Sequence, residues 1–141
     1  MKKPNRILVG LKTLENIVEL TALACRLSSR GASLVLVHVI ELPDNTALDA
    51  ELPDLEAAAQ KILRAGKRAA RGSHLKVKTR VLRAHSASYA LLDELKEQKS
   101  DLAVFGYHHG RTLGEVVFGT TAKRLAEHSS CYVVFGITPR Q

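Results

Sequence analysis

Residues 106–121, GYHHGRTLGEVVFGTT, hold four glycines, the adjacent His108 and His109, and Arg111 between two apolar runs of a 141-residue chain. Glycines let a backbone approach phosphate oxygens and adopt positive φ. A Gly-Thr pair opening a helix adds free amides, a favourable dipole and a hydroxyl donor. The common phosphate cradles do not fit. Gly114 and Gly119 have P-loop spacing, but Thr120 stands where that motif needs lysine, and Gly106 and Gly110 are one residue too close. The dinucleotide pattern G-x-G-x-x-G is absent.

Other chemistries are weaker still. Adjacent histidines at a strand end point in opposite directions, no cysteine lies at ligand spacing, and HExxH is missing. No metal is expected. His38 ends an apolar run and reads as packed and hydrogen-bonded. Ser86 and Ser88 lack a G-x-S-x-G elbow and read as helix caps. No catalytic residue is assigned, and a dedicated enzyme is not expected.

The elements that must position the glycine stretch alternate short apolar runs with amphipathic segments. Strands are predicted at 6–11, 33–40, 76–83, 101–107 and 131–137. Thr13 can cap a first helix whose Leu14, Ile17, Val18, Ala24 and Leu27 share one face, with Gly31 as its stop. Asp54 can cap a second helix running to about Arg71 and Gly72. Ser86 or Ser88 starts a third, and Thr120 opens a fourth that ends near Glu127. This β-α-β-α-β-α-β-α-β order, without repeat or linker, predicts one α/β domain over 1–141. Its parallel sheet is doubly wound, with helices on both faces. Ligands in such folds sit beyond the carboxyl ends of strands at the switch point of strand order. That directs attention to 10–13, 38–41 and the glycine stretch.

Taken together, RILVGLKT, GASLVLVHVIE, SDLAVFG and GTTAKRLAEHSSCYVVFGI resemble the universal stress protein (UspA-like) family over essentially the whole chain. The resemblance implies a Rossmann-like, five-stranded sheet of order 3-2-1-4-5 and a non-enzymatic stress-response module. It also implies binding of ATP, ADP, AMP or a cyclic form. Nucleotide-binding members carry G-x2-G-x9-G-[ST] after the fourth strand. Gly106, Gly119 and Thr120 match its ends, with Thr121 following, while His109 holds the middle position and the glycine is displaced to Gly110. In the first turn, Gly10-Leu11-Lys12 places lysine where such members have Asp near the nucleoside. Val39 matches the residue whose backbone contacts adenine. The last strand of the family pairs with its copy in a second subunit, which implies a homodimer through Tyr132, Val133, Val134, Phe135 and Ile137. The alternative that Lys12 and His109 favour is a fold without nucleotide binding that acts through protein contacts, docked on a transporter or another acidic partner.

Composition bounds these readings. At 45% apolar and 25% charged residues the chain folds rather than stays disordered. No apolar run approaches the roughly 20 residues of a membrane span, and the N-terminus does not read as a signal peptide. Cys25 and Cys131, inside apolar runs, read as buried free thiols, and a cytoplasmic location is expected. The net charge of +7 is unevenly spread. Residues 31–60 carry six acids and no Lys or Arg; residues 61–83 carry nine Lys or Arg and no acid. A solvated helix face followed by a basic edge strand accounts for this, as does a docking surface for something acidic. Without Trp and with 4% aromatics there is no stacking platform for single strands, and no groove-reading motif points to specific nucleic-acid recognition.

Overall fold

The computed structural model describes residues 2–107 and 120–137. Five strands, β1 (Arg6–Gly10), β2 (Ser33–Glu41), β3 (Lys76–Ala84), β4 (Leu102–Tyr107) and β5 (Tyr132–Ile137), alternate with four helices. These are α1 (Ile17–Leu27), α2 (Pro53–Ala69), α3 (Ala87–Glu97) and α4 (Thr120–His128). Every strand pairing is parallel and the sheet order is β3-β2-β1-β4-β5, as expected. Continuous apolar runs in β1, β2 and β4 follow from burial on both faces. Ile7, Val9, Leu34, Leu36, Leu102 and Val104 pack under α1 and α2. Leu8, Val35, Val37, Ala103 and Phe105 pack under α3 and α4.

Several local expectations are corrected. α1 begins at Ile17, and the Thr13 hydroxyl accepts instead from the Glu15 amide at 3.2 Å. Asn16, at φ 63°, makes the turn into the helix, a left-handed conformation that Asn tolerates better than most residues. Leu14 therefore precedes the helix and is 51% exposed, and Val18, rotated about 100° from Ile17, is 63% exposed. The buried face is Ile17, Leu20, Thr21 and Ala24. α2 has Pro53 in its first turn and no side-chain cap; Asp54 lies within the first turn, where its charge favours the dipole. Gly31 and Gly72 adopt φ of +77° and +79°, the left-handed stops expected of them. Ser86 caps α3 by accepting from the Tyr89 amide at 3.4 Å, while Ser88 is buried. Cys25 and Cys131 are partly rather than fully buried free thiols, and burial raises both above the ordinary thiol pKa. Among the described residues no helix is long and apolar enough to cross a membrane.

The basic edge strand β3 is anchored by ion pairs on both faces. Arg83 pairs with Glu56 of α2 and donates to the Leu48 carbonyl at 3.0 Å. On the other face Arg80 Nε donates to Glu94 of α3 at 2.8 Å, and Gln98 Nε2 donates to the same carboxylate at 2.8 Å. Glu94 is only 4% exposed, and these donors satisfy its buried carboxylate oxygens. Arg80→Ala removes the only cation paired with it among the described residues, and stability in urea unfolding should fall by about 2 kcal/mol. Adding Glu94→Gln should recover part of that loss; equal stability of wild type and Arg80→Ala would refute this role.

Candidate functional site

Strand lengths build the site. β1 stays in register with β2 only to Gly10–Val37, whereas β2 continues beside β3 to Glu41–Ala84. On its other side β1 stops at Gly10–Phe105, while β4 and β5 run on to Tyr107–Ile137. The central strand thus ends short of both neighbours. The notch left at the carboxyl edge opens into a cavity of about 420 Å³ at the switch point between β1 and β4.

The floor of this cavity is aromatic. Phe105 lies over Gly10 so closely that a Cβ there would sit 2.5 Å from its ring. Phe135 of β5 packs beside it, ring centroids 6.0 Å apart, and both rings line the cavity. Gly10 is thereby required by packing. The same holds for Gly106: a Cβ there would meet Leu20 of α1 at 2.7 Å, and one at Gly136, its register partner, would meet the same side chain at 2.9 Å.

Backbone groups form one wall. The Leu11 amide donates to the Val37 carbonyl at 2.8 Å. The Leu11 carbonyl lies 2.7 Å from His38 Nδ1; since a carbonyl only accepts, Nδ1 carries the proton. His38 is thus the packed, bonded residue expected, and it pins the first turn. Strand residues two apart direct their backbone groups to the same neighbour. Val37 bonds towards β1, so Val39 directs its N–H and C=O to that side, past the end of β1 and along the cavity it lines.

The rim is charged. Lys12 and Glu41, both exposed, line the cavity from the ends of β1 and β2. Glu41 Oε2 accepts from the Ala87 amide at 2.6 Å, tying β2 to the start of α3. The first turns of α4 close the far side through Thr121, Ala122 and Leu125. Arg124 holds α4 to α3, donating to Ser88 Oγ at 3.1 Å with its guanidinium 5.1 Å from the Tyr89 ring centroid.

Of the residues expected to bind a ligand, Gly10, Leu11, Lys12, Val39, Gly106 and Thr121 line this one cavity. Leu11 does so with its side chain buried in the core and its amide and carbonyl already bonded to Val37 and His38. Thr120 opens α4. His109, Gly110 and Gly119 lie outside the described residues, with His108 and Arg111. In β5, Tyr132 and Ile137 are exposed and Val133 and Val134 half-buried. Phe135, expected at a subunit contact, lines the cavity. Sequence reasoning missed Phe105, and it reached Glu41 only as the end of the segment 38–41. The aromatic was hidden in an ordinary apolar strand, and the carboxylate was grouped with the acidic loop after β2. Among the described residues no cluster of three or more His, Cys, Asp or Glu could hold a metal.

The sequence matches the model of the Universal stress protein family over residues 4–135. No curated protein matches it. Solved structures share the fold at low identity. A universal stress protein from Archaeoglobus fulgidus is 18% identical with TM-score 0.73, over 92% of this chain and 96% of that one. The Archaeoglobus fulgidus protein in complex with dAMP is 16% identical with TM-score 0.70, over 95% and 98%. A universal stress protein family protein from Arabidopsis thaliana with AMP bound is 14% identical with TM-score 0.65, over 96% and 93%.

The contact between Gly10 and Phe105 gives a direct test of the floor. Gly10→Ala should cost about 1–3 kcal/mol through overpacking, measured by chemical denaturation. Phe105→Leu in the same chain should restore part of it. Additive effects of the two substitutions would show that the close approach does not limit the site.

Proposed function

Because the chain belongs to the universal stress protein family, we propose that it is a non-enzymatic, cytoplasmic module that binds an adenine nucleotide and works as a dimer. The observation that carries this reading is the notch beyond β1, which gathers Gly10, Val39, Gly106 and the start of α4 around one cavity. Its volume falls within the roughly 300–1,000 Å³ of small-molecule sites. A flat base suits the aromatic floor and the amide and carbonyl of Val39. Phosphates suit the helix start that Gly119, Thr120 and Thr121 supply in sequence. The family structures with dAMP and AMP support the ligand class.

Lys12 favours a second reading, a fold without nucleotide binding that acts through protein contacts. It brings a cation to the rim and offers no acceptor for ribose hydroxyls. Mass spectrometry of nucleotide released from denatured protein, with calorimetric titration of ATP and AMP, separates the two. Released adenine nucleotide or saturable binding supports the first; neither, at millimolar ligand, leaves the second. Gly119→Val should abolish phosphate-dependent binding while the circular dichroism spectrum is kept. Lys12→Asp should raise affinity for adenosine relative to ATP several-fold.

Dimerisation is supported by the exposed edge of β5. That strand is apolar and lacks the lysines or proline that protect bare edges. Light scattering at tens of micromolar protein should give twice the chain mass; a monomeric mass would count against the dimer.

A further inference from the structure

The outer face of α2 carries a charge pattern that the cavity does not explain. Ala59, Ile62, Leu63 and Gly66 form its buried face. Lys61, Arg64, Lys67 and Arg68 are exposed, and Arg71 continues the row in the turn that follows. At about 100° per residue, Lys61, Arg64 and Arg68 lie opposite the buried face and point straight out of the domain. No acid occurs between Glu56 and Asp93, so no carboxylate is interleaved on this face. Arg80 and Arg83, from the same stretch of sequence, have internal partners. The four α2 cations and Arg71 have none among the described residues. Spaced three and four apart, they repel one another, an arrangement that a polyanion would relieve.

We propose that this face docks on an anionic phospholipid surface. The face presents no aromatic or large apolar side chain, so it lacks the anchors that make a protein interface strong. It equally lacks the stacking groups that hold single-stranded nucleic acid. A second copy docked through this same face would set its exposed Lys and Arg row against another like it. A charged plane needs neither anchor nor groove. It attracts Lys and Arg at its surface, and the effect of each adds to the next. The helix is not membrane-spanning; contact is peripheral and electrostatic, through the side of the domain away from the β5 edge.

The test is co-sedimentation of the full chain with phosphatidylcholine vesicles, with and without about 30% phosphatidylglycerol. Binding is expected only with the anionic lipid, and it should weaken strongly between about 0.05 and 0.5 M salt. Arg64→Gln, Arg68→Gln and Arg71→Gln together should lower the partition coefficient by about 100-fold, roughly fivefold per charge. A control that removes the same net charge elsewhere, Lys2→Gln, Lys3→Gln and Lys96→Gln, should lower it by less than about fivefold. All variants are exposed, and circular dichroism checks their fold. No binding to anionic vesicles at low salt overturns the proposal. So does an equal loss in the control, tighter binding to duplex DNA than to vesicles, or salt-dependent self-association through α2.

Discussion

The stagger of β1 is the constraint on which the site depends. A central parallel strand that stopped level with its neighbours would spend its terminal amides and carbonyls in the ladder. Here β1 ends at Gly10 while β2 and β4 continue, so Val39 reaches the open edge with backbone groups directed where no strand follows. The early end is enforced by packing and hydrogen bonding. Phe105 occupies the space that a side chain at residue 10 would need. The His38 imidazole then takes the carbonyl of Leu11 and turns the chain away. The notch at the carboxyl edge of the sheet is a consequence of these contacts.

Charge is partitioned by the same layered architecture. β3 is an edge strand, and its arginines reach across each face of the sheet to a different helix, Arg83 to α2 and Arg80 to α3. This fixes the edge against both layers while leaving it too basic to recruit another strand. Among the described residues, the outer face of α2 has no such partners to serve. One continuous basic segment of sequence thus performs two physical tasks, divided by whether a residue points into the sheet layer or away from it.

Much of this was legible in the sequence because periodicity reports burial. The apolar runs of β1, β2 and β4 could only be strands covered on both sides, and the strand–helix alternation left a doubly wound sheet as the solution. Helix starts were less legible. Thr13 and Asp54 are good caps by residue type, yet Asn16 in a left-handed turn and Pro53 in the first turn set the starts of α1 and α2. A turn conformation and a proline constraint outweighed capping chemistry. Within the site, residues at the ends of β1 and β2 were found from topology. Phe105 was not, because its role arises from a contact to Gly10, 95 positions away along the chain.

The glycines sharpen what a motif can say. Gly106 is the first glycine of the spacing that led to a phosphate cradle, yet together with Gly136 it forms a saddle for Leu20, letting α1 lie close to β4 and β5. A chain with this fold would keep Gly106 for that reason even without a ligand. The first glycine therefore testifies to packing, and Gly10 does the same through Phe105. The rim is set by other contacts: Glu41 is held by the Ala87 amide, and Lys12 is exposed. An acceptor-only carboxylate and a donor-only ammonium on one rim are a poor match for a simple anion.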